Sequence, residues 1–205
     1  MKITSKPGNG NKIHIYIDGE YTLTLYDDYW HRAGFRENQV ITDEELALLT
    51  EEAGFRSAYE KGLRLLGVRP YSEKELYRKL TLKFSKESSL RAIEKIKSYG
   101  YIDDESYAEE FAKHLYEHKK YDVKRIKNEL KSKGINDEII LNTLKTLDNN
   151  PIERIIVMLN SKYENGFASE KDERRFVNKL IRMGYSFGDI KSAFYECGFT
   201  FHNNF

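Results

Sequence analysis

Residues 71–80 read YSEKELYRKL, residues 121–130 read YDVKRIKNEL and residues 171–180 read KDERRFVNKL, so one amphipathic pattern recurs at a spacing of 50 residues. A fixed period of this length is typical of repeat architectures, in which similar units follow one another along the chain. In this register three apolar columns align and one turn glycine recurs: Leu76, Ile126 and Phe176; Leu80, Leu130 and Leu180; Leu90, Ile140 and Ile190; Gly134 and Gly184. Chance periodicity among amphipathic helices is the alternative, and the shared register of several columns argues against it.

Helix start and stop signals around this pattern indicate three helices per repeat. Thr42 with Glu45 and Ser72 with Glu75 have the spacing of capping boxes, which begin helices, and a glycine such as Gly134 ends one. We therefore predict an all-α fold of tandem three-helix bundles behind a small N-terminal β-hairpin. The predicted boundaries are 1–52 for the hairpin and a lead-in helix, and 53–102, 103–149 and 150–205 for the three repeats.

The hairpin is predicted from strict alternation of apolar and polar residues over residues 12–26. A three-residue loop, Asp18-Gly19-Glu20, would place Ile15 opposite Leu23 and Ile17 opposite Tyr21, so that one face of the hairpin is apolar. An isolated hairpin is marginally stable, and we expect this one to lie against other elements.

The composition excludes several classes of protein. The chain has 205 residues, a net charge of +1, 40% hydrophobic and 33% charged residues, which suits many helices that each bury one stripe. A single cysteine, Cys197, excludes an internal disulfide framework and a thiolate zinc site. Residues 1–12 lack the apolar stretch of a signal peptide and no apolar run is long enough to span a bilayer, so we expect a cytoplasmic protein with no membrane partner.

A basic residue recurs two positions before the first apolar column of each repeat, as Lys74, Lys124 and Arg174. At 100° per residue this position lies on the solvent side of the helix. The second repeat adds Lys127 and Lys131 on the same stripe. Such a strip of positive charge could bind phosphates or an acidic protein groove, and the alternative is an ordinary solvated lysine face.

Patterns that indicate catalysis are scarce. His114 and His118 have the i, i+4 spacing of two metal ligands, but no third ligand is evident, and a surface histidine pair is the expected interpretation. Asp103-Asp104 precede a helix and are expected to cap it. The sequence shows no glycine-rich phosphate loop and no nucleophile elbow. We therefore predict no catalytic residues, no metal, no cofactor and no enzymatic activity.

The 15 tyrosines suggest base stacking as a further possibility. Several of them stand at helix ends and at semi-buried positions: Tyr71, Tyr77, Tyr99, Tyr101 and Tyr107. At such positions packing with a solvated hydroxyl is the expected role.

The order of these motifs resembles the RecX family. YSEKELYRKLTLK at 71–83 is similar to the family's Ser-x-x-Glu-Leu-x-x-Lys-Leu-x-x-Lys, and GYIDDESYA at 100–108 is similar to its Gly-Tyr segment. RIKNELKSKGI at 125–135 and FVNKLIRMGY at 176–185 resemble the later units, so that the likeness covers about residues 53–198. The hairpin resembles the N-terminal extension of longer members. Tyr121-Asp122 departs from the family pattern, which often has a glycine there.

The resemblance implies an elongated, curved chain of repeats that lodges in the groove of the RecA recombinase filament on single-stranded DNA. It implies a regulator of homologous recombination, DNA repair and the SOS response that restrains filament ATPase and strand exchange; inhibition and stimulation are both open. Double-stranded DNA is a further candidate partner, and a monomer is expected. The alternative is an autonomous nucleic-acid-binding tandem-helix protein that acts on DNA without RecA. The residues predicted to contact RecA or DNA are Lys74, Arg78, Lys124, Arg125, Lys127, Lys131, Arg174 and Arg175.

Overall fold

The computed structural model describes residues 1–199, and their fold is mostly helical behind a three-stranded sheet. The predicted fold class is confirmed. The chain divides into two compact units, of which the first is Met1–Asp103 and the second begins at Asp104. The finer division at residues 53 and 150 remains a prediction.

The N-terminal sheet is antiparallel, in the order β1 (Ile3–Pro7), β2 (Lys12–Ile17) and β3 (Glu20–Tyr26). Strands β2 and β3 form the predicted hairpin, but β1 was not predicted. The reason is that β1 reads ITSKP, with Ile3 as its only apolar residue apart from the terminal proline, so it carries no visible alternation.

The predicted three-residue loop of the hairpin is wrong. Ile17 pairs with Glu20, so only Asp18 and Gly19 form the turn, and both have positive φ angles of 50° and 89°. Two successive left-handed residues form the type I′ turn, whose twist matches that of the flanking strands.

A β-bulge reconciles this shorter turn with a buried inner face. The register shifts between Ile15 and Tyr16, so that Tyr16 pairs with Tyr21 while Ile15 still pairs with Leu23, as predicted. The bulge adds one residue to a strand and restores the alternation on the side nearer the core.

The sheet packs on α1 (Asp27–Arg32) and on the beginning of α2 (Asp43–Leu66), around a core that includes Ile3, Ile15 and Trp30. Helix α1 has six residues, too few to show a helical period, and was not predicted. The capping box of α2 is confirmed, because the Thr42 hydroxyl accepts from the Glu45 amide at 3.2 Å and the Glu45 carboxylate accepts from the Thr42 amide at 2.8 Å.

The remaining helices follow the predicted order of three-helix repeats. Their bounds are α3 (Glu73–Leu80), α4 (Lys86–Ser98), α5 (Asp104–Glu117), α6 (Val123–Lys133), α7 (Asp137–Lys145), α8 (Pro151–Tyr163), α9 (Glu170–Arg182) and α10 (Phe187–Glu196). Separate apolar cores form where α2 packs with α3 and α4, among α5 to α7, and among α8 to α10.

Two of the three predicted apolar columns lie wholly in these cores: Leu76, Ile126 and Phe176, and Leu80, Leu130 and Leu180. The third column is wrong in one repeat. Ile140 and Ile190 are fully buried, whereas Leu90 is 49% exposed.

The reason is a shift of one residue at the start of α4. Asn136 and Ser186 cap α7 and α10, and the period of 50 residues would place the corresponding cap of α4 at residue 86. Instead, Ser85 caps α4. The fourth residue after each cap enters the core, and in α4 that residue is Ser89, which is fully buried. Its hydroxyl oxygen has no hydrogen-bond partner among residues 1–199.

Within residues 1–199, no helix has both the length and the apolar composition needed to cross a lipid bilayer.

Candidate functional site

The eight cations predicted as contacts lie on the second helix of each repeat. Lys74 and Arg78 stand on α3 in the first compact unit, and the other six stand on α6 and α9 in the second. Seven of the eight side chains are exposed, and Lys127 is half-buried.

Helix α6 exposes three of these cations, Lys124, Arg125 and Lys131, because its opposite face is held in the core by Ile126 and Leu130. The buried Asp122 caps the helix: its carboxylate accepts from the amide of Lys124 at 2.9 Å. The amide of Asp122 donates to the carbonyl of Met183 at 2.9 Å. The start of α6 is therefore tied to the turn that follows α9.

This turn approaches α6 so closely that only glycine fits at its tip. Gly184 has a φ of +100°, and a Cβ built on it would lie 2.5 Å from Cβ and 3.0 Å from the backbone nitrogen of Arg125. The recurrent glycine in the sequence thus has two physical causes here, a backbone conformation that L side chains rarely adopt and a direct backbone approach.

A groove of about 660 Å³ lies beside this contact, lined by Tyr121, Lys124, Arg125, Asn128, Ile181, Arg182 and Gly184. None of these lining residues is acidic. Among the described residues, the Lys124 ammonium and the Arg182 guanidinium form no ion pair, whereas Arg125 pairs with Glu129 at 2.6 Å. Two free cations with a planar amide and a tyrosine suit an anion such as a phosphodiester, because charge-assisted hydrogen bonds to phosphate are strong and directional.

The groove therefore brings together two of the predicted residues, Lys124 and Arg125. Arg182 and Asn128 complete the groove and were not predicted. The sequence offered one signal for Arg182, because it stands two residues before Gly184, the turn glycine that recurs between repeats.

The other predicted cations of the second unit lie outside this groove. Lys131 pairs with Asp137 at 2.9 Å. A hydrogen bond from Lys131 holds the pKa of the Asp137 carboxyl below its ordinary value, and the charge of Lys127 adds to the effect.

The predicted cations of α9 also have acidic neighbours. Arg174 lies 3.9 Å from Glu170, and Arg175 lies 3.4 Å from Asp172, so these acids offset much of the positive charge of this part of the predicted strip.

A clamp centred on Arg154 of α8 fixes the backbone around the groove. Its guanidinium donates to the carbonyl oxygens of Tyr116 at 3.0 Å and Tyr121 at 3.4 Å, and lies 3.5 Å from the centroid of the Tyr116 ring. It also donates to the Tyr185 hydroxyl at 3.2 Å, and that hydroxyl donates to the carbonyl of Lys120 at 3.0 Å. Burial raises the pKa of the Tyr185 phenol, so it stays protonated and remains a donor.

Of the predicted histidine pair, His114 stands on α5 and His118 directly follows its last residue, with the two rings 5.1 Å apart. Over residues 1–199, no group of three or more His, Cys, Asp or Glu side chains is placed to hold a metal ion.

Comparison with known proteins identifies the first two repeats. Residues 58–95 match the model of the first three-helix domain of RecX, and residues 103–144, which include part of the groove, match that of the second. The chain is similar to the regulatory protein RecX of Clostridium beijerinckii, at 31% identity over 91% of this chain and 88% of that protein. It is similar to that of Clostridium perfringens, at 30% identity over 96% and 92%.

Solved structures agree in fold. A crystal structure of regulatory protein RecX superposes with a TM-score of 0.63 at 19% identity, over 96% of this chain and 97% of the other. RecX from Lactobacillus salivarius gives a TM-score of 0.54 at 22% identity, over 71% and 97%. With identities of 30% and 31% over nearly the whole length of two relatives, the chain belongs to the RecX family of regulatory proteins.

Proposed function

We propose that this protein regulates the RecA recombinase by binding its filament on single-stranded DNA, and that it restrains filament ATPase and strand exchange without chemistry of its own. Family membership supports the choice of partner. The groove between α6 and the end of α9 is the observation that carries the proposed contact, because it offers free cations with no acidic side chain in its lining.

The two free cations of the groove are the proposed phosphate contacts. Lys124 and Arg182 face an open groove and have no intramolecular ion partner in residues 1–199, so no existing ion pair must break when an anion binds. The Arg125 guanidinium already pairs with Glu129, and the Lys131 ammonium already pairs with Asp137. Arg125 and Lys131 are therefore weaker candidates for phosphate contacts. The repeated helices add further weak contacts, which together give avidity because they are tethered in one chain.

The test is co-sedimentation with recombinase filaments on single-stranded DNA, compared with bare DNA and with free recombinase, together with the filament ATPase rate. Wild-type protein should sediment with filaments and lower the ATPase rate. The variant Lys124→Glu/Arg182→Glu should lose most of both effects. The matched control is Lys113→Glu/Lys191→Glu, which changes the same charge at two exposed cations of the same compact unit outside the groove.

Equal potency of the groove variant and the control would refute the groove as a contact. Failure of the wild-type protein to bind filaments or to change their ATPase rate would refute the proposed function itself.

The groove also supports a second candidate, an autonomous nucleic-acid-binding protein. Titration of naked DNA at several salt concentrations separates the two. For a single strand, the logarithm of the binding constant should fall with the logarithm of the salt concentration by about 0.7 per phosphate contact. The groove variant removes two proposed contacts and should reduce the magnitude of this slope by about 1.4. These results would favour the second candidate if the protein binds filaments no more tightly than bare DNA.

A further inference from the structure

Two tyrosine rings stand in solvent at the end of α4. Tyr99 is 56% exposed and Tyr101 is 59% exposed, with ring centroids 6.1 Å apart and planes tilted by 47°. The expectation that such tyrosines pack into the fold holds for Tyr71 and Tyr107, which are buried, and is wrong for these two. Because the two rings do not stack face to face, each keeps aromatic surface open.

The fold does not need an aromatic residue at this place. The turns at Gly134 and Gly184 share the hydrogen-bond pattern of the turn at Gly100, and in both the residue after the glycine is buried. Burial there is the usual hydrophobic contact of this helix-ending motif. After Gly100, by contrast, Tyr101 is exposed and Ile102 enters the core instead. Packing therefore does not explain Tyr101.

A free cation accompanies the rings. The Lys95 ammonium lies 4.7 Å from the centroid of the Tyr99 ring, and among the described residues it forms no ion pair. Two neighbouring cations are already paired, Arg91 with Glu51 and Glu52 and Lys97 with Glu73. Lys95 is therefore the cation beside the rings that an anionic partner can bind without breaking an ion pair.

We propose that Tyr99 and Tyr101 form a stacking platform for the unpaired bases of single-stranded nucleic acid, with Lys95 on the adjoining phosphate. Exposed rings beside a cation are the combination that binds single strands without sequence preference, because every base has a π face. A flat protein surface would also accept tyrosines, but it would not call for a free cation against the ring. This assignment rests on the proposed function for its partner class, and it uses a helix and a compact unit different from those of the groove.

The experiment measures affinity of the full chain, without recombinase, for a thymine oligonucleotide and for an abasic oligonucleotide of equal length and charge. Wild-type protein should prefer the base-containing strand. Tyr99→Ala/Tyr101→Ala should weaken binding to it by at least about fivefold and leave binding to the abasic strand unchanged. Tyr99→Phe/Tyr101→Phe should retain the preference. Tyr195→Ala, at a tyrosine that is 85% exposed in the second unit, is the control and should change neither.

Equal wild-type affinity for the two strands would overturn the platform, and so would a Tyr99→Ala/Tyr101→Ala variant of unchanged helicity that keeps the preference. Loss of filament suppression in that variant with no change in base preference would also overturn it, since the rings would then contact protein. A wild-type preference for bases in a protein that leaves recombinase ATPase untouched would refute the proposed function and support the platform.

Discussion

Replacing Gly184 by alanine tests the close approach that builds the groove. The new Cβ would meet two costs, a φ of +100° and a backbone contact of 3.0 Å with the nitrogen of Arg125. A left-handed non-glycine residue costs about 1–2 kcal/mol, and inserting a methyl group into a packed contact costs about 1–3 kcal/mol. We expect Gly184→Ala to destabilise the second compact unit by about 2–5 kcal/mol.

The matched control is Gly166→Ala in the same unit. Gly166 has a φ of +88°, but nothing lies within 4 Å of the position that its Cβ would take, so it should incur the backbone cost alone. The difference between the two variants isolates the contact with Arg125, at about 1–3 kcal/mol.

Urea unfolding followed by far-UV circular dichroism measures this difference. At a urea slope of about 2 kcal/mol per molar, an extra 2 kcal/mol corresponds to a midpoint lower by about 1 M. Fluorescence of Trp30, which lies in the first unit, serves as an internal reference and should shift little. Equal midpoints for Gly184→Ala and Gly166→Ala would show that the contact is not tight and would refute the reasoning.

Three further outcomes follow from buried or charged groups. Ser89→Ala removes a buried hydroxyl that has no hydrogen-bond partner in the described part of the chain, so the free energy of unfolding should stay equal or rise by up to about 1 kcal/mol. A clear loss of stability in urea titrations would show that the hydroxyl is satisfied. Arg154→Lys keeps the charge but loses the planar fork, and we expect about 1–3 kcal/mol of destabilisation with faster amide hydrogen exchange over residues 116–121; unchanged exchange would contradict the clamp. Because Lys131 lowers the pKa of the Asp137 carboxyl, their ion pair contributes to stability at neutral pH, and this contribution is lost as the pH falls through the lowered pKa. Carbon-13 NMR should show that the titration midpoint of Asp137 rises in Lys131→Met. An unmoved midpoint would refute the pairing.

The helical repeats were predictable because their signals are local. Caps such as Thr42 and Ser72 and an apolar period specify where a helix begins and which face it buries, and the structure follows both. The exception, Leu90, shows how sensitive this inference is. When the cap of α4 moves back by one residue to Ser85, every side chain of the helix turns by about 100°, and a leucine aligned with two buried isoleucines becomes exposed.

Features that depend on distant partners were not predictable. Strand β1 has little apolar character of its own and exists because β2 offers it a free edge. The predicted length of the hairpin loop was wrong because the strands contain a bulge at Ile15 and Tyr16. The bulge depends on the surface beneath the sheet as well as on the residues of the loop.

The candidate site divides in the same way. Exposure of Lys124 and Arg174 follows from helix geometry alone, and the sequence predicts it. The freedom of a cation to bind a ligand depends on acids in other elements, such as Asp137 after α6, and on side chains such as Arg182 that a turn brings close.

The Arg154 clamp has an evolutionary consequence. On the loop before α6, the atoms that accept hydrogen bonds from Arg154 and Tyr185 are main-chain oxygens of residues 121 and 120, which any amino acid supplies. Side chains in that loop can therefore change among relatives without loosening the joint, provided that the backbone path persists. Coevolution methods, which detect paired side-chain changes, should find little coupling between Arg154 and this loop, even though their hydrogen bonds hold two successive repeats together.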